Sequence, residues 1–231
     1  MIESVNRFSE EMPPKGLRYL VPGGHAVAEL VIRNSVFVGN VSRARSPEEA
    51  EAVIDGVRAR YSDAHHNAWA YRISGGPQAE IGSSDDGEPG GTAGRPMLAV
   101  LAGRELCEVV AVGTRYFGGT KLGTGGLVRA YGDCIRAALE DLTIAQMVYH
   151  FQAAISVEYS LYGALTYLLP QHDVRIKNED FAKDVHLSLG IPYDQLETIA
   201  ARIQELTNGK TRLADEIQSG YYVQLPYTTP G

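Results

Sequence analysis

Apolar and polar residues alternate through Ala26-Val-Ala-Glu-Leu-Val-Ile32, and a second apolar run, Val36-Phe-Val-Gly-Asn-Val41, follows after a short break. Two strands that pair antiparallel are expected. Ser46-Pro-Glu-Glu49 then combines a capping serine, a proline at the first helical position and a glutamate three residues on, which starts a helix. Ala50, Val53, Ile54, Val57 and Tyr61 form its buried stripe. A strand is predicted over 68–73. From Ser74 to Thr92 almost no residue is apolar, so this stretch reads as a mobile loop. Met97 to Leu101 looks helical and Val109 to Val112 looks like a buried strand, while Leu127, Tyr131, Cys134 and Ala138 line one face of another helix.

After Gln146 the order becomes strand, helix, strand, strand, helix, strand, over 148–158, 162–169, 174–181, 185–189, 192–207 and 211–225. That is the split βαβ order of a ferredoxin-like domain. In its second helix Leu196, Ile199, Ala200 and Ile203 share a stripe, and Asn208-Gly209 is the stop signal. The expected class is α+β, with domains over 1–142 and 146–226.

Glycine usage singles out one region, because thirteen of the chain's 25 glycines lie between Gly82 and Gly132. Glycine carries a large entropic cost on folding, so such a cluster fits places where the backbone turns tightly or approaches another group closely. The net charge of −7 argues against a protein that coats nucleic acid by bulk electrostatics. Between Pro89 and Arg136, however, Arg95, Arg104, Arg115, Lys121, Arg129 and Arg136 outnumber Glu105, Glu108 and Asp133, a local balance of +3. That segment suits an anion.

Two cysteines, Cys107 and Cys134, make no disulfide framework and read as small core residues in a reducing compartment. No apolar run reaches the roughly 20 residues of a membrane span, and the acidic segment from Met1 to Glu11 lacks a signal-peptide pattern. A cytoplasmic protein is expected.

The candidate chemistry sits in the run Gly118-Gly-Thr-Lys-Leu-Gly-Thr-Gly-Gly126. Gly118, Gly119, Gly123, Gly125 and Gly126 supply freely oriented amides, Thr120 and Thr124 supply hydroxyls, and Lys121 supplies charge just ahead of a helix N-terminus. Phosphate is the natural guest, although the spacing fits neither the P-loop nor the dinucleotide fingerprint. A tight strand-to-helix connection explains the same glycines without a ligand. Tyr116 and Phe117 add aromatic surface beside Arg115, the mixture that stacks bases while holding phosphates; core packing is the competing explanation. Arg129 and Arg95 extend the cationic set.

Asp85, Asp86, Gly87, Glu88 and Pro89 belong to the mobile loop. The three acids are hard oxygen ligands that a Mg²⁺ ion bridging to a phosphate would use, set against the plainer expectation of solvated acids with no metal or cofactor. His65-His66 lacks any partner pattern for a zinc site, and Ser83 and Ser84 lack the Gly-x-Ser-x-Gly frame, so structural or surface roles are expected.

Two runs, Asp85-Asp-Gly-Glu-Pro-Gly-Gly-Thr-Ala-Gly-Arg-Pro96 and Arg115-Tyr-Phe-Gly-Gly-Thr-Lys-Leu-Gly-Thr-Gly-Gly-Leu-Val-Arg-Ala-Tyr131, resemble the signature of the Impact family (UPF0029) and its bacterial branch. Asn34-Ser-Val-Phe37 and His66-Asn-Ala-Trp-Ala-Tyr71 resemble it too, so the similarity spans most of 18–140. The resemblance implies a first domain like the second domain of ribosomal protein S5 and a second domain like the carboxy-terminal modules of elongation factor G. Eukaryotic relatives regulate a stress-responsive translation kinase by competing for its activator, through a chain that carries an additional amino-terminal module. Only about twenty residues precede the first expected strand here, so that role is not carried over. The resulting expectation is a cytosolic protein that binds RNA or the ribosome, or a translation-related protein, and modulates translation without turnover. The alternatives are an enzyme or binding protein for a phosphorylated small molecule or nucleotide that uses the same loop, and a protein-docking regulator with an exposed apolar patch.

Overall fold

The computed structural model describes residues 18–74 and 79–227. The segment Met1 to Glu11, residues 75–78 near the start of the expected 74–92 loop and the end of the tail lie outside them. The chain divides into two compact units: Tyr19–Gln146 with Leu225 onward, and Met147–Gln224 with Arg18. Both are α+β, each with a sheet.

In chain order the first unit holds β1 (Arg18–Pro22), β2 (Ala26–Ile32), β3 (Ser35–Arg43), α1 (Pro47–Arg60), β4 (His66–Arg72), β5 (Ile81–Ser84), α2 (Gly94–Gly103), β6 (Val109–Tyr116) and α3 (Thr124–Glu140). Its sheet runs β2-β3-β6-β4-β5, and each of these neighbouring pairs is antiparallel. Side chains alternate between faces along each strand. Phe37 and Val41 of β3, Val109 and Ala111 of β6 and Ala68 and Ala70 of β4 therefore join α2 and α3 in the main core. Val110 and Val112 look the other way and pack with Ala50 and Ile54 of α1. Fully burying an aliphatic side chain of this size stabilises by about 1.5–3 kcal/mol.

Glycines bring α2 and α3 close to the sheet. A β-carbon at Gly39 would stand 2.4 Å from the Cys134 carbonyl oxygen of α3, and one at Gly113 would stand 2.8 Å from both Met97 Sδ and a ring carbon of Tyr131. Phe37 meets the Tyr131 ring edge-on at 5.2 Å between centroids, a contact worth about 0.5–1.5 kcal/mol beyond area burial.

α1 begins as expected, with the Ser46 side chain accepting from Glu49 N–H. Two strands escaped the apolar pattern. β5 is four residues long and takes its shape from pairing with β4 rather than from its own sequence. β1 is a short strand whose Leu20 carbonyl accepts from Cys107 N–H at 2.9 Å. Both cysteines are buried thiols outside any disulfide, and burial pushes the Cys134 thiol up to about 12.

β7 (Ile144–Val157) leads into the second unit, which continues with α4 (Tyr159–Leu168), β8 (Arg175–Phe181), β9 (Val185–Pro192), α5 (Leu196–Leu206) and β10 (Ile217–Pro226). β9 lies between β7 and β8, and β10 also pairs with β7. Ala153, Ile155 and Val157 of β7 and Val185, Leu187, Leu189 and Ile191 of β9 share one face and pack with Leu165 of α4 and Ile199 and Ile203 of α5. The second helix starts later than its proline suggested: Pro192 has ψ 140° and ends β9, a 3-10 turn follows, and α5 begins at Leu196. Asn208 and Gly209 end it in the left-handed region, as the sequence indicates. Among the described residues no helix is long and apolar enough to cross a membrane.

Candidate functional site

The first glycine loop is closed by its own carboxylates. Asp85 accepts from the backbone N–H groups of Gly91 at 2.7 Å and of Ala93 and Gly94 at 2.9 Å. Those last two amides open α2, so an internal carboxylate already occupies that helix end, where the helix dipole favours negative charge. Burial pushes the Asp85 carboxyl up, but the three amide bonds and the nearby Arg95 charge together hold it below its ordinary value. Asp86 adopts φ 48°. Its carboxylate accepts from Asn67 N–H at 2.6 Å, and its carbonyl oxygen lies 2.7 Å from His66 Nδ1, which must therefore carry a proton. Glu88 accepts from Arg115 at 2.7 Å and from the Tyr131 hydroxyl at 2.9 Å. Burial first, and the Glu88 charge second, push the Tyr131 phenol far up, so it stays a donor.

These contacts revise three readings: that the acids are solvated, that their loop is mobile and that Arg115 meets phosphates. Asp85, Asp86 and Glu88 each address separate protein donors, so they do not converge as a set of Mg²⁺ ligands; among the described residues no group of three His, Cys, Asp or Glu side chains is placed to hold a metal. The stretch from Asp85 to Pro89, including Gly87, is tied to β4, α1, α2, α3 and β6 by hydrogen bonds and ion pairs rather than waiting to be ordered by a ligand. Arg115 is not a surface cation: its side chain is 6% exposed, paired with Glu88, and its guanidinium carbon lies 5.4 Å from the ring centres of both Phe37 and Phe117. A charge held this way positions the loop and is out of reach of a phosphate backbone. Its Nε is buried and has no hydrogen-bond partner.

The second loop leaves β6 held by hydrogen bonds at its start, and further along Leu122 packs against the main core. Phe117 N–H donates to His65 Nδ1 at 3.2 Å, and Gly118 N–H donates to Ser35 Oγ at 3.1 Å. A β-carbon on Gly118 would fall 2.0 Å from the Asn34 carbonyl carbon, so only glycine fits against the β2–β3 hairpin. That hairpin turns through Arg33 and Asn34, both at positive φ, as a two-residue loop of the primed type requires. Gly119 and Gly123 also have positive φ, 83° and 73°. Beyond Gly118 the character changes.

α3 starts without a cap. Gly123 precedes it with no side chain to offer, and the first intrahelical bond runs from Leu127 N–H to the Gly123 carbonyl. The amides of Thr124, Gly125 and Gly126 lie ahead of that bond. Gly125 has no positive φ, and a β-carbon there would meet nothing within 4 Å. Neither local geometry nor packing accounts for glycine at this position, where it costs helix stability of roughly 0.5–1 kcal/mol relative to alanine. Thr120, Lys121, Thr124 and Arg129 are exposed around this end. Arg95 is exposed on α2. Phe117 is 41% exposed. Tyr116 is half-buried and donates its hydroxyl to Asp63 at 2.8 Å.

Sequence reasoning missed Asn67, which accepts from Thr114 Oγ1 at 2.7 Å while its amide meets Asp86, and Ser35, which steers Gly118. It placed Arg115 on the outside, although strand parity carried the contrary signal: Val109, Ala111, Gly113 and Arg115 share the face that packs on α2 and α3. His65 and His66 serve as anchors for Phe117 and Asp86, and Ser84 Oγ accepts from Asp86 N–H, so all three do structural work.

Comparison with known proteins covers both units. The family model of the Impact N-terminal domain matches residues 33–139, and that of a domain of unknown function, DUF1949, matches residues 155–210. The chain is 36% identical over 197 residues to IMPACT family member YigZ of Escherichia coli (strain K12), covering 84% of this chain and 96% of that protein. It is 34% identical over 187 residues to IMPACT family member YvyE of Bacillus subtilis (strain 168), covering 81% and 86%. A solved structure titled as that of a hypothetical protein aligns over 92% of this chain and 98% of its own, with 32% identity and a TM-score of 0.57.

Proposed function

This chain belongs to the Impact family, and from that premise we propose that it is a cytoplasmic protein that binds RNA or a ribosomal surface through the start of α3 and modulates translation without catalysing a reaction. Membership implies a translation-related role. In this reading the first unit has the fold of the second domain of ribosomal protein S5. The second, in which β9 lies between β7 and β8 and β10 pairs with β7, is a ferredoxin-like module of the kind found at the carboxy terminus of elongation factor G.

The observation that carries the proposal is the bare end of α3 beside exposed Lys121 and Arg129, in a chain whose net charge is −7. Peptide N–H groups and the positive end of the helix dipole favour an anionic oxygen there. Gly125 leaves room for it to approach. Lys121 and Arg129 are exposed and make no ion pair among the described residues, which leaves them to phosphates in this reading. Phe117 offers a ring face for a base. Arg115 acts indirectly, by holding Glu88 and the first loop in place.

Ribosome co-sedimentation across a salt series tests this. The wild-type chain is expected to pellet at low salt and to be released as salt rises, and Lys121→Ala should bind more weakly with a shallower salt slope, by about one counterion. Equal pelleting of both proteins, or none even at low salt, would overturn the proposal.

A further inference from the structure

The second unit carries an aromatic cluster of which Tyr162 packs against its core, while Tyr159 and Phe181 do not belong to that core. Tyr159 and Phe181 are 53% and 52% exposed, although rings of this size normally bury most of their area. They belong to different elements, since Tyr159 opens α4 and Phe181 ends β8. Tyr162, one helical turn after Tyr159, packs edge-on against Phe181 at 5.3 Å between centroids, and Tyr159 lies 6.3 Å from Phe181. Both phenols are fixed by hydrogen bonds: Tyr159 donates to the Ala182 carbonyl at 2.8 Å and Tyr162 donates to Glu179 at 3.1 Å. Tyr159 and Phe181 are thus held in one arrangement with much of their surface in water, beside the half-buried Tyr162.

Charge says what such a surface receives. Glu158, which precedes Tyr159, is neutralised by Lys210 at 2.7 Å. Glu179 accepts only from the Tyr162 hydroxyl and has no cationic partner among the described residues. An unneutralised carboxylate beside electron-rich ring faces attracts a cation, and a guanidinium satisfies both partners because it stacks on rings and forks onto a carboxylate. Nucleic acid fits poorly at a site whose free charge is negative. We propose that this corner of the second unit is a docking site for an arginine-bearing segment of a partner protein, with the guanidinium lying on Phe181 and Tyr159 and bonded to Glu179.

Amide NMR spectra of the full chain, titrated with the capped peptides Gly-Arg-Gly-Arg-Gly, Gly-Lys-Gly-Lys-Gly and Gly-Gln-Gln-Gln-Gly, test the site. Saturable shifts are expected over 158–162 and 179–183, strongest with arginine, weaker with lysine and absent with glutamine. Phe181→Leu keeps the net charge and the apolar bulk but removes a ring, and should weaken arginine binding roughly 2- to 5-fold. Glu179→Gln keeps an acceptor for Tyr162 and should weaken it as well. Shifts spread over the whole acidic surface, or unchanged affinity in Phe181→Leu, would overturn the proposal. So would concentration-dependent broadening at these amides without peptide, which would assign the corner to a second copy of the chain, or tighter binding of an oligonucleotide there.

Discussion

The two glycine-rich loops deliver the chain into helices that pack on the same face of the same sheet, yet one helix end is filled and the other is bare. α2 receives the Asp85 carboxylate on the amides of Ala93 and Gly94, and α3 has no side-chain cap among the described residues. Glycine serves different ends in each. In the first loop a β-carbon on Gly94 would stand 2.9 Å from the Ser84 backbone, which is a packing demand. At Gly125 no such demand exists. A fold that supplies an internal anion to one helix and not to the neighbouring one distinguishes the two ends chemically: the first loop is scaffold, and the second is where the proposed anionic partner would meet the protein.

Removing Glu88 is the strongest way to break this contrast. Glu88→Ala leaves the Arg115 guanidinium buried with no counter-charge, and should cost about 3–5 kcal/mol, read as a lower denaturant midpoint. If Arg115 simply swings into solvent, the loss will be small and the buried-scaffold assignment fails.

Asp85→Asn tests the filled end and should cost about 1 kcal/mol at neutral pH. Because folding lowers the Asp85 pKa, the folded protein holds that proton less tightly than the unfolded chain. Its stabilising contribution is complete above the ordinary value of 3.8 and fades as pH falls through the lower folded value. Thermal melts of wild type and variant should therefore differ at pH 7 and converge in acid. A constant difference down to the lowest pH would show that the charge is not what matters.

Gly125→Ala has the smallest effect on folding and the opposite sign, a gain of roughly 0.5–1 kcal/mol from better helix propensity. The same methyl group crowds the approach to the amides, so ribosome pelleting should fall while the melting temperature rises. Gain in both would mean that the position has no ligand to accommodate.

Much of this architecture is written in the apolar pattern, and much of the site is not. The stripe of α1, the alternation in β2 and the stop at Asn208-Gly209 are local signals that survive in the fold. Asp85 is different. A loop carboxylate reads alike whether it meets water, a metal or an amide, and only the return of the chain eight and nine residues later brings Ala93 and Gly94 to it. Arg115 misled because arginine is ordinarily a surface residue, while its fate was set by Glu88, which lies 27 positions earlier. The bare end of α3 was legible as a glycine-rich approach to a helix, but that nothing internal fills it emerges only in three dimensions.

The close seating of α3 on β3 through Gly39, with Cys134 carbonyl where a side chain would otherwise stand, has a thermodynamic consequence for any guest at the far end of that helix. At Gly39 backbone meets backbone, and around it Tyr131 and Ile135 lock α3 into the core, so the peptide groups at Thr124 to Gly126 belong to a helix seated firmly on the sheet. Capture there would require little reorganisation of the host, which leaves the guest's own lost freedom and shed water as the main opposing contributions.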